Sequence, residues 1–241
     1  MSANNRRTKL LFQIISGQLG VALIIVVMAF SILFYAQGYR FNYRNFKISR
    51  TGVLYVVTYP KNAAIFLNGE EEAHKTPYSK NLLPDRYTVS ASLPGYSPWT
   101  EYVRVESELV SDYKRVVLFR TNPKVSELTD SRLIDRLNSP MDDLAQKNNS
   151  GLTNQGYEIW NNNTLITRFS EPVSKAIWYT SDQDHIVFQQ GNEIRVIELS
   201  GSNDTLLVTL SSGNPASFIL NDKGDRLYFK DGDSYKVAEI R

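Results

Sequence analysis

Val53-Leu54-Tyr55-Val56-Val57-Thr58-Tyr59-Pro60, then Ala64-Ile65-Phe66-Leu67-Asn68-Gly69, is the stretch on which the fold reading turns. The first run is β-branched and aromatic, and it stops at a proline that has no N–H to give to a strand ladder. The second ends on Asn-Gly, whose backbone preferences suit a tight hairpin turn. Downstream, Tyr87-Thr88-Val89-Ser90-Ala91-Ser92-Leu93 alternates and stops at Pro94-Gly95. Tyr102-Val103-Arg104-Val105 and residues 113–119 complete a set of short strands with closely spaced turn signals. Such spacing predicts a small β-sandwich over residues 51–120.

Upstream the pattern is different. Residues 10–35 carry no charge, and Val21-Ala22-Leu23-Ile24-Ile25-Val26-Val27 is purely apolar. A helix of that length spans about 39 Å, enough to cross a hydrocarbon core of about 30 Å with some tilt. A cleaved leader would be shorter and would end in small residues, where Phe34 and Tyr35 stand here. The expectation is therefore a retained transmembrane helix over 10–35. A tail (1–9) precedes it and a juxtamembrane segment (36–50) follows. Phe34, Tyr35, Tyr39, Phe41, Tyr43 and Phe46 gather at its far end as an interfacial belt. Basic residues flank both ends, so charge alone gives no clear orientation. The tail carries Arg6, Arg7 and Lys9 without an acid, which favours a cytoplasmic N-terminus and an extracytoplasmic bulk.

Beyond residue 120 the chain repeats itself. Trp178-Tyr179-Thr180-Ser181-Asp182, Ile186-Val187-Phe188, Gly191, Ile194, Val196 and Glu198 recur 40 or 41 residues later. The second copy reads Phe218-Ile219-Leu220-Asn221-Asp222, Leu227-Tyr228-Phe229, Gly232, Tyr235, Val237 and Glu239. Thr164-Leu165-Ile166 matches Thr205-Leu206-Leu207 at a spacing of 41. An upstream copy runs through Ser139-Pro140-Met141-Asp142, Leu144-Ala145 and Gly156-Tyr157-Glu158-Ile159-Trp160, with a loop at 148–155. An amphipathic helix over 128–137 followed by a loop explains that region equally well. A period near 40 with several short strands per unit is the pattern of propeller blades. These units resemble WD40-like or TolB-type blades, with hairpin turns at Asp182 and Asp222. Three units are fewer than the four to eight that close a propeller, so residues 121–241 are expected to form an incomplete blade set with open strand edges. Either a homo-oligomer completes it, or the repeats pack as an open stack, or the region is a second sandwich.

The turn residues of the first β region carry a second resemblance. Gly52, Pro60-Lys61-Asn62-Ala63, Ile65-Phe66-Leu67-Asn68-Gly69, Lys75-Thr76-Pro77, Leu82-Leu83-Pro84, Tyr87-Thr88-Val89 and Pro94-Gly95-Tyr96 fall in the order of the PEGA domain family. The family's Pro-Glu-Gly-Ala is Pro60-Lys61-Asn62-Ala63 here, and its usual Pro-Gly before the tyrosine strand is Pro84-Asp85. Both substitutions keep turn-competent residues. The resemblance implies a cell-surface β-sandwich beside a membrane anchor and implies no catalysis.

Composition narrows the chemistry. Residues 1–50 hold seven basic and no acidic residues. Removing those seven from the chain's 27 basic residues leaves 20 against 25 acidic ones over 51–241. A mildly acidic region argues against nucleic acid, which needs a basic face. There is no cysteine, hence no disulfide, thiol nucleophile or cysteine zinc site. His74 and His185 are the only imidazoles, with His185 expected in a hairpin turn. No Gly-x-Ser-x-Gly elbow, phosphate-cradling loop or His-Glu-x-x-His occurs. Glu70-Glu71-Glu72, Asp142-Asp143, Asp182/Asp184, Asp222/Asp225 and Asp231/Asp233 mostly fall at expected hairpin tips, where aspartate stabilises turns. No catalytic residue, metal site or cofactor is assigned. Tyr96 and Trp99 are the candidate binding surface, although both can equally cover a sheet edge or enter the core.

The expectation is a mainly β, single-pass membrane protein of the cell envelope. Without being an enzyme, it would bind envelope protein or cell-wall polymer through its β domains. Two alternatives stand beside it: an accessory subunit of an envelope complex whose partner completes the repeats, and a glycan-active enzyme with an unrecognised site.

Overall fold

The computed structural model describes residues 3–42, 46–139, 151–179 and 183–241. Tyr43, residues 140–145 with the Asp142-Asp143 pair, and the Thr180-Ser181-Asp182 turn lie outside these.

Helix α1 runs Ala3–Ala36, so most of the basic stretch expected as a tail is helical. Its segment Gly17–Ala36 is long and apolar enough to cross a bilayer, and none of that segment is buried against the rest of the chain. Gly38 (φ +82°) ends the helix in the left-handed conformation. Its N–H reaches the Tyr35 carbonyl at 3.1 Å, and the Gln37 N–H reaches that of Leu33 at 3.0 Å. Arg40 Nη1 donates to the carbonyls of Tyr35 (2.9 Å) and Tyr39 (3.0 Å), placing a cation at the negative end of the helix dipole. Strands β1 (Tyr39–Asn42) and β2 (Lys47–Arg50) then form an antiparallel hairpin.

The first β region contains β3 (Gly52–Tyr59), β4 (Ala64–Leu67), β5 (Glu70–Glu71), β6 (Tyr78–Leu82), β7 (Asp85–Ser92), β8 (Trp99–Val105) and β9 (Val110–Val117). They make a three-stranded sheet, β6-β3-β9, and a four-stranded sheet, β5-β4-β7-β8. Its turn motifs are structural. Asn68 (φ +52°) and Gly69 (φ +86°) turn β4 into β5, and Asn68 Oδ1 accepts the Thr88 N–H at 2.9 Å. Thr76 is buried; its Oγ1 shares a hydrogen bond with that of Thr58 and accepts the Ala63 N–H at 3.1 Å.

The chain divides into two compact units. The first comprises residues 1–55, 79–87 and 103–112, the second 56–78, 88–102 and 113–241. In the first, Gly52 lies so close to the Glu106 carbonyl that a Cβ would stand 2.1 Å from its oxygen, which excludes any side chain there. The same loop receives the hairpin. Ser107 Oγ donates to the Arg50 carbonyl (3.0 Å), and Arg50 Nη1 pairs with Glu108 at 2.6 Å.

In the second unit, β10 (Lys124–Glu127) leads to helix α2 (Ser131–Asn138), whose N-cap Asp130 accepts the Arg132 N–H at 3.0 Å. Three antiparallel meanders follow. The first is β11 (Leu152–Gln155), β12 (Glu158–Asn161) and β13 (Thr164–Arg168). The second is β14 (Val173–Trp178), β15 (His185–Gln190), β16 (Glu193–Glu198) and β17 (Thr205–Thr209). The third is β18 (Phe218–Leu220), β19 (Arg226–Asp231) and β20 (Ser234–Glu239). Its outer strand is β10, giving the sheet order β10-β20-β19-β18 with Lys124 opposite Glu239. Between 128 and 160 the helix expected over 128–137 forms as α2, and residues 140–145 of the expected upstream copy lie outside the described residues. Gly156 through Trp160 form a hairpin turn and the start of β12. The expected loop at 148–155 is strand over 152–155.

Repetition is visible in the turns. Gly156, Gly191 and Gly232 each open the tight turn of one meander, with φ of +61°, +54° and +61°. The middle sheet is buried on both faces, because alternate residues of β15 point opposite ways. Ile186 and Phe188 pack with Leu152, Ile159 and Trp178, while Val187 packs with Leu207, Phe218, Phe229 and Ile240. His185, expected in a turn, instead begins β15 and is buried, because the strand starts earlier than its apolar run. Among the described residues the sheets do not close into a barrel or propeller.

Candidate functional site

Alternation along β8 sends Trp99, Val103 and Val105 inward. Trp99 is 3% exposed, and its indole N–H donates to Glu198 Oε1 at 2.7 Å. Its ring meets Tyr113 edge-on, with centroids 5.4 Å apart. Around this contact the Thr100 N–H donates to Asn203 Oδ1 (2.9 Å), and Ser202 Oγ bonds Glu101 and Glu198 at 3.2 Å each. His185 Nε2 lies 3.8 Å from Glu198 Oε1. Burial pushes the Glu198 carboxyl above its ordinary range, opposed by hydrogen bonds from Trp99, Asn203 and Ser202. Tyr96 is half-buried beneath Arg120, whose guanidinium stands 5.6 Å from the ring centre. Of the two aromatics read as a candidate binding surface, Trp99 thus lies in the interior joint between β8 and the middle meander, and Tyr96 is covered by a cation.

A cleft of about 300 Å³ opens instead between β10 and β17. Both are edge strands of their sheets. The floor is apolar, made by Leu207, Val208 and Phe229, all buried. The rim carries Val125 and Leu206, exposed at 47% and 39%, with Thr121, Asn122 and Thr209 between them. One ionic group lies in it. Asp231 accepts Lys236 Nζ at 2.8 Å and the Ser211 N–H at 2.7 Å. These bonds, chiefly those of Lys236 and Ser211, hold the Asp231 carboxyl down at about 2. A carboxylate so deeply stabilised is a fixed charge and a poor base near neutral pH. The cleft offers an apolar floor, two strand edges and one neutralised charge. That set suits an extended chain able to pair with main-chain groups.

The other titratable groups are used structurally. Lys175 is buried, donates to the Phe218 carbonyl at 2.9 Å and lies 4.3 Å from the Phe218 ring centre. Burial pulls its pKa down to about 8. His74 is exposed on a loop. Asp184 pairs with Arg115 at 3.0 Å, and Asn221 bonds Asp225 across the β18–β19 turn. Among the described residues, no three His, Asp or Glu side chains converge on a point that could hold a metal.

Residues 51–122 match the family model of the PEGA domain. The match covers β3 to β9, under a third of the chain, and stops before the repeats. Among curated proteins none matches this chain. The cleft went unread in the sequence because its walls come from segments some 80 residues apart, and Lys124-Val125-Ser126-Glu127 has too little apolar content to announce a strand. The one available signal was the 41-residue match of Thr205-Leu206-Leu207 to Thr164-Leu165-Ile166, which marks Leu206 as a repeated outer-strand position.

Proposed function

We propose that this chain is a non-enzymatic, membrane-anchored binding protein of the cell envelope. In this reading α1 spans the bilayer with its N-terminus in the cytoplasm, and the β regions stand outside. The three meanders are blade-like units of an incomplete propeller, with β10 standing in as the last blade's outer strand. The partner is a protein, and it docks an extended segment in the cleft between β10 and β17. The observation that carries this is the pair of edge strands facing one apolar-floored cleft. Polypeptide can satisfy such edges through its own main chain. Cell-wall polymer has no such ladder to offer.

The test is photo-crosslinking in intact cells. A benzophenone amino acid at Val125 or Leu206 is expected to capture one protein in near-stoichiometric yield, and the same probe at exposed Asp222 is not. Equal capture at all three positions, or none at the cleft, would discard the reading. Topology is read separately. Lys223→Cys, in an exposed turn of a cysteine-free chain, should react with an impermeant maleimide supplied from outside the membrane.

A further inference from the structure

The hairpin β1–β2 is amphipathic. Alternation and the register Tyr39↔Arg50 and Phe41↔Ile48 put Tyr39, Phe41, Ile48 and Arg50 on one face. Arg40 and Ser49 fall on the other. The first face is apolar and open to solvent: Ile48 is 62% exposed, and Phe46 in the turn is 80% exposed. Its single cation, Arg50, is already paired with Glu108. The second face carries Arg40, the sequence adds Arg44 and Lys47 to the same stretch, and no Asp or Glu occurs anywhere in residues 1–50.

Position decides what such a surface meets. Helix α1 ends at Ala36 and β1 begins at Tyr39, so the hairpin starts within about 10 Å of the helix end. A lipid headgroup layer is comparably thick, so a helix crossing the hydrocarbon core leaves the hairpin inside that layer. The connection is also fixed. Arg40 ties β1 to the last helical turn, its guanidinium 3.5 Å from the Tyr35 ring centre. The Thr51 N–H reaches the Gly38 carbonyl at 3.0 Å. At the other end, Arg50 and Thr51 are bonded to Ser107 and Glu108.

We infer that the hairpin is a lipid-binding foot: Phe41, Phe46 and Ile48 enter the headgroup–acyl boundary, and the positive charge of this acid-free stretch, Arg40 foremost, engages anionic phosphates of the same leaflet. This rests on the reading of α1 as a membrane anchor. Its added content is a preference for anionic lipid and a defined posture of the hairpin on the surface. The chemistry is that of interfacial amphipathic elements, in which apolar insertion and attraction to negative headgroups add.

The experiment uses the full chain, its lack of cysteine and one substitution, Ile48→Cys, labelled with an environment-sensitive nitrobenzoxadiazole. The protein is placed in nanodiscs of phosphatidylcholine alone or with about 30% phosphatidylglycerol, a density that gives a strongly negative surface. The expected result is a blue-shifted emission and at least about threefold less quenching by an uncharged water-soluble nitroxide in the anionic discs, lost in Arg40→Gln/Lys47→Gln. Because Arg40 also ties β1 to the helix, Arg40→Lys, which keeps the charge, is expected to retain the shift, and a circular-dichroism melt unchanged by the glutamine pair shows that its loss is not misfolding. Equal quenching in both lipids, with the chain resisting alkaline extraction from vesicles, overturns the foot and leaves the anchor standing. Extraction of the chain from vesicles at alkaline pH overturns both.

Discussion

Trp99 and Glu198 are ninety-nine residues apart in sequence and 2.7 Å apart in space, the indole N–H donating into a carboxylate that burial disfavours. Trp99 belongs to the segment that matches the PEGA domain and Glu198 to the middle meander, so one bond carries a polar link across the joint between them. Removing a donor from a buried acceptor costs more than the bond's net worth, because the acceptor keeps its desolvation.

Trp99→Phe keeps most of the ring and deletes the donor. It is expected to lower stability by about 2 kcal/mol in urea titrations of the β-rich part of the chain. Glu198→Gln keeps an acceptor and removes the charge. The Glu198 pKa is raised in the folded state, so wild-type stability from this group is greatest at low pH and falls as pH rises through the folded value. Relative to wild type, Glu198→Gln should therefore look best at pH 8 and progressively worse toward pH 4. A pH-independent difference would show that Glu198 is not the titrating group.

Asp231 has the opposite sign. Its folded pKa of about 2 lies below the ordinary 3.8, so its contribution is complete above about pH 4 and is lost as pH falls through 2. Asp231→Asn is expected to cost about 1–2 kcal/mol at pH 7, and the gap to wild type should close in acid melts.

Lys175 is ionised at a cost. Its folded pKa of about 8 lies below the ordinary 10.5, so the penalty is full below pH 8 and is relieved as pH rises from 8 toward 10.5. Lys175→Met gives up one hydrogen bond to Phe218 and removes a buried charge. A net gain of about 1 kcal/mol at pH 7, shrinking by pH 10, is expected from thermal unfolding across that range.

Gly191 and Gly232 hold equivalent turns at φ +54° and +61°, and a Cβ at either would meet no atom closer than 3.6 Å. Alanine at each should then cost about 1 kcal/mol from backbone strain alone, and the two costs should be alike. Gly213 has no positive φ, and Gly213→Ala should cost less.

Much of this was legible in the chain. Val53 to Tyr59 and Ala64 to Leu67 form strands where their β-branched runs stop at Pro60 and at Asn68-Gly69, because those stops are written in local backbone chemistry. The 41-residue spacing of Gly191 and Gly232 is the spacing of two equivalent hairpins. Less visible were features fixed by distant partners. Lys124 to Glu127 is all exposed and carries two charges in four residues, so only β20 makes it a strand. The hairpin at 39–50 hid behind its aromatics, which read as an interfacial belt and disguised the alternation of Tyr39, Phe41, Ile48 and Arg50. Trp99 offered two readings in sequence, and its interior role depends on Glu198, which no local pattern could pair with it.

The strand β20 lies between β10 and β19, with a neighbour from before the repeats on one side and its own hairpin on the other. A chain synthesised from its N-terminus emerges in order, and β10 waits for more than a hundred residues before its partner arrives. Until then its edge is open and the last sheet cannot be completed. Long-range pairing of this kind slows folding and prolongs the exposure of sticky edges. The module is thus timed as well as shaped: a nascent chain holds β10 unpaired, a stretch open to capture by chaperones or proteases, and only arrival of residues 234–239 ends that interval.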